Sequence, residues 1–161
     1  MEEAYLLLGS NLGDSKKYIQ DALNYINDEV GERTGLSSLY QTASWGKEDQ
    51  PDFINQVVSV KTKLNPQQLL KNILVIETKL GRERRDKWGS RTIDIDLLFY
   101  GNHVIQEDNL VVPHPFLHQR RFTLMPLVEL NPQFVHPVFN QTIKELYEKL
   151  EDNLSVIKLE P

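Results

Sequence analysis

An α+β fold, an antiparallel-rich sheet with helices packed on it, follows from three features of the sequence. Two segments, Ile19 to Val30 and Leu69 to Leu80, repeat apolar residues every three or four positions, as the buried stripe of a helix does. Four others, residues 4–9, 36–43, 53–62 and 92–100, are apolar runs or alternate with period two, as strands do. Their order is strand, helix, strand, strand, helix, strand, the split βαβ arrangement of a ferredoxin-like core. With 161 residues and 40% hydrophobic content, the chain is expected to be one domain over 1–161.

Each element has a local reason. Ala4 to Gly9 is an unbroken apolar strand, and Ser10 to Gly13 turns it into a helix capped by Asp14. The strands at 36–43 and 53–62 flank a polar loop, Ser44 to Asp52, and alternation puts Phe53, Asn55 and Val57 on one face. Asn65 followed by Pro66 starts a helix carried on by Leu69, Leu70, Ile73, Leu74, Glu77 and Leu80, and Gly81 stops it. Arg82 to Arg91 has no periodicity and reads as a mobile surface loop before the strand at 92–100. A hairpin is expected next, with arms at 103–105 and 110–112. Residues 116–128 read as partly helical and cut by Pro126, and 142–150 as a helix burying Leu146 and Leu150. These late helices would cover the second face of the sheet, giving three layers, αβα.

Composition excludes several classes. A net charge of −5 argues against a nucleic-acid binder, which needs a basic face. Without cysteine there is no disulfide, thiolate nucleophile or sulfur-ligated metal. Glu2 and Glu3 precede only a short apolar stretch, so no signal peptide is expected, and no run has membrane-spanning length. A cytoplasmic protein is the expectation.

The most informative segment runs from Trp88 to Leu98. Alternation puts Ile93, Ile95 and Leu97 on one face and Asp94 and Asp96 on the other, with Cα atoms about 7 Å apart. An isolated pair of this kind is as often two solvent-facing acids. On a partly buried face, however, two carboxylates repel each other and lose hydration unless a cation joins them. Magnesium suits them, since it takes few protein ligands and completes its shell with water and substrate phosphate. Just before the pair stand Arg82, Arg84, Arg85, Lys87 and Arg91, five cations against Glu83 and Asp86. Such a run is usually a solvated face, but guanidinium forks match phosphate oxygens, and cations with metal-binding acids are what phosphoryl transfer requires. Trp88, in this charged stretch, reads as a latch over bound ligand. No P-loop occurs, and Gly9 to Gly13 is more simply a tight turn than an anion site.

Asn55 on an apolar strand calls for a partner. Between the rings of Phe53 and Phe122 its amide could read the edge of a flat heterocycle. His114 and His118 are four apart, yet Pro115 and the lack of a third ligand speak against a metal pair. Arg120 and Arg121 add two cations. Two other readings share these features: a different magnesium-dependent phosphoryl or nucleotidyl transferase, and an RNA-binding module of the same element order, whose sheet would here repel a nucleic acid through Asp94 and Asp96.

Taken together, the segments Gly9-Ser10-Asn11-Leu12-Gly13, Tyr40-Gln41-Thr42, Trp45-Gly46, Gln50 to Asn55, Leu80-Gly81-Arg82, Trp88 to Leu98, and Val112-Pro113-His114-Pro115 through Phe122 resemble the 6-hydroxymethyl-7,8-dihydropterin pyrophosphokinases of folate biosynthesis. The resemblance implies transfer of pyrophosphate from ATP to the pterin hydroxymethyl group, with release of AMP. It implies two Mg²⁺ ions on Asp94 and Asp96, with Arg82 and Arg91 neutralising the transferring phosphates and Arg84, Lys87 and Trp88 closing over the nucleotide. Glu77, His114 and Arg120 would line the ATP site. Phe53 and Phe122 would sandwich the pterin, and Thr42, Asn55 and the backbone near Trp45 would meet its polar edge. Phe53 stands where some members carry tyrosine, which keeps the stacking and drops a hydroxyl contact. The resemblance further implies a monomer with no nucleic-acid or membrane partner.

Overall fold

The computed structural model describes residues 1–43, 51–81 and 92–160. Its strands are β1 (Glu2–Ser10), β2 (Glu32–Leu36), β3 (Tyr40–Thr42), β4 (Phe53–Thr62), β5 (Asp94–Tyr100), β6 (Ile105–Glu107), β7 (Leu110–Val112) and β8 (Val156–Lys158). The helices are α1 (Ser15–Glu29), α2 (Pro66–Lys79), α3 (Arg121–Leu130) and α4 (Ile143–Glu148). The main sheet runs β5-β1-β4-β3-β8, with β2 also on β4, and every pairing is antiparallel. Counting β2 and β3 as one interrupted strand, this is the ferredoxin-like order read from the sequence.

Alternation along the strands divides the interior in two. Leu6, Leu8, Val58, Val60, Ile95 and Leu97 pack against Ile19, Leu23 and Ile26 of α1 and Leu69, Ile73 and Ile76 of α2. On the other face Tyr5, Leu7, Val57 and Phe99 meet Leu124 and Leu127 of α3 and Ile143 and Leu146 of α4. Fully burying one such side chain is worth about 1.5–3 kcal/mol, so both layers are bound mainly by apolar contact. The helix starts follow their sequence signals. Asp14 accepts the Lys17 N–H, while Asn65 and Thr142 form reciprocal capping boxes with Gln68 and Glu145.

Several boundaries differ from the sequence reading. The strand expected at 36–43 is two strands, because the chain leaves the ladder at Ser37, whose hydroxyl and N–H pair with the backbone of Val57. Strands β2 and β8 carry no buried alternation; β2 is held by backbone pairing with β4 and by the Thr34 hydroxyl on Ser59 at 2.9 Å, and β8 by pairing with β3, which leaves no apolar pattern to read. The small hairpin keeps three-residue arms, but the first is Ile105–Glu107 rather than 103–105, which leaves a two-residue turn at Asp108-Asn109. Helix α3 passes through Pro126 uncut. One backbone hydrogen bond, to the Phe122 carbonyl, is forgone, and burial of Pro126 itself with Leu124 and Leu127 offsets it. Leu74 is exposed, its expected place taken by Ile76, and Leu150 is only half-buried.

Candidate active site

The site lies on the sheet face that carries α3, and strand register assembles it. Gly9 of β1 pairs with Asp94 of β5 on one side and Asn55 of β4 on the other, and Asn55 pairs with Tyr40 of β3. Directly opposed residues point to the same face, so Asp94, Gly9, Asn55 and Tyr40 form one row. The next row holds Asp96, Leu7 and Val57. Both acids are half-buried and stand on the face opposite Ile95 and Leu97, as alternation requires. Thr42 pairs with Phe53, and the Asn55 amide donates to the Thr42 hydroxyl at 3.4 Å.

Gly9 is a site residue that the sequence does not single out, since it reads both as the last residue of the strand at 4–9 and as the start of the turn to Gly13. It lies within β1, and a Cβ there would stand 2.6 Å from the side-chain Oδ1 of Asn55. Glycine thus makes room for a buried amide in a crowded row. A glycine inside an apolar strand was the available signal. The turn itself uses Gly13, whose φ is +74°.

A second group approaches from the segment before α3. Tyr5 pairs with Phe99 and Leu6 with Leu97, so Leu98 is an extra residue in β5, a bulge beside the acid pair. Its carbonyl accepts the His114 N–H at 3.0 Å, which ties this segment to the strand bearing Asp94 and Asp96. Burial, and then the positive charge of Arg120, lower the His114 pKa to about 4. The ring is therefore neutral at physiological pH. Its Nδ1 accepts the Phe116 N–H at 3.2 Å, which leaves the proton on Nε2 as a donor.

The Arg120 guanidinium stands over the rings of Phe116 and Phe122, 5.3 and 5.5 Å from their centroids. Phe122, the first-turn aromatic of α3, packs on the edge of the second core cluster. Arg121 turns away: its guanidinium donates to the Asp152 carbonyl at 2.8 Å and to the Tyr147 hydroxyl at 3.3 Å, a structural role. His118 packs edge-on against Phe139, with ring centroids 4.6 Å apart, and joins no pair with His114.

Glu77 is 4% exposed in α2, and its Oε2 accepts the Ile95 N–H at 2.8 Å, between the two acids. Trp45, Arg82, Arg84, Lys87, Trp88 and Arg91 lie outside the described residues. Among the described residues no group of three or more His, Cys, Asp or Glu forms a metal cage. Two carboxylates on one face suit a hard cation that draws its remaining ligands from water and phosphate, and they do not suit zinc.

The family model for 7,8-dihydro-6-hydroxymethylpterin-pyrophosphokinase matches residues 5–132. A 2-amino-4-hydroxy-6-hydroxymethyldihydropteridine pyrophosphokinase of Aquifex aeolicus is 44% identical over 145 residues, covering 90% of each chain. The protein of that name in Haemophilus influenzae is 39% identical over 162 residues, covering the whole of both. Among solved structures, the wild-type HPPK-DHPS of Plasmodium falciparum with STZ-DHP superposes with a TM-score of 0.77 at 20% identity, over 92% of this chain and 43% of that one. This last likeness is one of fold.

Proposed function

The chain belongs to the 7,8-dihydro-6-hydroxymethylpterin pyrophosphokinase family, and from that premise we propose that it transfers the pyrophosphoryl group of ATP to 6-hydroxymethyl-7,8-dihydropterin, releasing AMP, as a step of folate biosynthesis. The observation that carries the reading is the row Asp94, Gly9, Asn55, which sets a carboxylate beside an amide on one face of the sheet. One end of the row suits a metal-bound polyphosphate, the other a flat heterocycle. We further propose one domain over 1–161, acting as a cytoplasmic monomer; no helix among the described residues is long and apolar enough to cross a membrane.

Asp94 and Asp96 would hold two Mg²⁺ ions. When bound, these supply charge neutralisation on the β- and γ-phosphates and lower the pKa of the attacking hydroxyl. Asn55 and Thr42, already joined by a hydrogen bond, would orient the pterin's polar edge, with the backbone near Trp45. Phe53 and Phe122 would stack on its faces, excluding water and fixing the hydroxymethyl group for in-line attack. Arg82 and Arg91 would neutralise the transferring group, and Arg84, Lys87 and Trp88 would close over the nucleotide. His114, through its Nε2 proton, and Arg120 would donate to nucleotide oxygens, while Glu77 would border the ATP site from the α2 side of β5, where it accepts the Ile95 N–H.

The test is incubation with ATP, Mg²⁺ and the pterin, with analysis of the nucleotide products. AMP appearing in equal amount with pterin pyrophosphate is the expected result. ADP or free pyrophosphate as product, or no turnover, would overturn the reading.

A further inference from the structure

Strand β5 is the outer strand of the sheet, and N–H groups alternate in direction along a strand. The Ile95 N–H is given to Glu77, so the neighbouring Asp94 and Asp96 N–H groups face β1. Glu77 thus satisfies an edge amide that β1 leaves over. It is also the only buried carboxylate among the described residues. A helix stripe otherwise made of Leu69, Ile73 and Ile76 would bury leucine there more cheaply, so the acid needs a reason. Its side chain belongs to the α2 layer, whereas Asp94 and Asp96 project from the opposite face.

We infer that Glu77 is a positioning residue. By holding the backbone N–H between Asp94 and Asp96 from behind, it fixes the strand at the one point that sets the relation of the two carboxylates to each other. An edge strand lacks a second neighbour to do this. The inference rests on the proposed role of the acid pair in metal binding, and it concerns the support of that pair rather than contact with the nucleotide.

Two variants separate reach from charge: Glu77→Gln keeps an acceptor at full length without the charge, and Glu77→Asp keeps the charge one methylene short. The measurements are hydrogen exchange at the Ile95 amide, Mn²⁺ affinity with a nonhydrolysable ATP analogue, pterin affinity, and thermal midpoint. E77Q should keep Ile95 protected and Mn²⁺ affinity close to that of the unmodified protein. E77D should lose protection, and its Mn²⁺ affinity should fall about tenfold or more, with pterin affinity unchanged. The inference is overturned if E77D retains Mn²⁺ affinity while E77Q loses it, since charge then acts on the ligand directly. It also fails if Ile95 is equally protected in both, or if metal and pterin affinities fall together with the thermal midpoint. AMP formation by the unmodified protein tests the proposed reaction separately, because Ile95 exchange and Mn²⁺ affinity do not depend on turnover.

Discussion

Asp96, Asn55 and Gly9 are close in the sheet but make separable contributions, and single substitutions should divide them. Asp96→Ala removes half of the metal-binding pair while leaving the packing of Leu7 and Val57 intact, so AMP formation should fall at least ~100-fold with the melting temperature nearly unchanged. Asn55→Ala should instead raise the pterin KM about tenfold with little loss of kcat, because the lost hydrogen bonds act in ground and transition states alike. Gly9→Ala places a methyl group 2.6 Å from the Asn55 oxygen and must displace that side chain. It should reproduce the Asn55→Ala defect without touching the amide chemically, as read by pterin titration. Of these three residues, the two polar ones stood out in the sequence as unlike their apolar neighbours. Gly9 did not, because its importance is a distance to another strand.

At the scale of elements, the relation of α3 to the sheet decides where Phe122 and Arg120 stand. Glu129 near the end of α3 accepts from the Tyr40 hydroxyl at 2.6 Å, the Ser38 hydroxyl at 2.9 Å and the Ser38 N–H at 3.1 Å. Burial alone would raise the Glu129 carboxyl, but these donors outweigh it and hold the group below its ordinary pKa. Burial, and then the facing carboxylate, push the Tyr40 phenol up in turn. At the other end of the helix, the Arg121 N–H donates to Asp152 at 3.0 Å. Glu129→Ala leaves the Tyr40 and Ser38 donors without partners and should lower unfolding stability by about 2 kcal/mol in denaturant titration. Since Tyr40 stands in the row beside Asn55, pterin affinity should weaken as well, whereas a purely distant helix anchor would leave it unchanged.

For the molecule as a whole, buried neutral histidines make stability depend on pH. His136 is buried, with its pKa lowered to about 4 by burial first and then by His118. His114 is lowered to about 4 as well. In the unfolded chain both titrate near the ordinary value of about 6.5, so between the two values the unfolded state binds protons that the native state refuses. Stability is therefore full above pH 6.5 and is lost as pH falls toward 4. The thermal midpoint should be lower at pH 5 than at pH 7.5. His136→Asn, whose side-chain oxygen can accept the Val138 and Phe139 N–H groups in place of Nδ1, should flatten that dependence, as differential scanning calorimetry at the two pH values would show.

Local sequence signals by themselves determined the order of the core elements, the helix starts at Asp14 and Asn65, and the opposite faces of Ile95 and Asp96, because caps and a side chain's direction within a helix or strand depend only on their own segment. They also marked Asp94, Asp96 and Asn55 as polar residues out of place. Tertiary structure alone decided that Gly9 joins Asp94 to Asn55, that the extra residue Leu98 brings His114 to β5, and that Glu77 supports the strand from behind. Those relations depend on register between strands distant in sequence and on the packing of helices across the sheet. The same conditions explain β8, whose pairing with β3 leaves no apolar imprint on its own three residues.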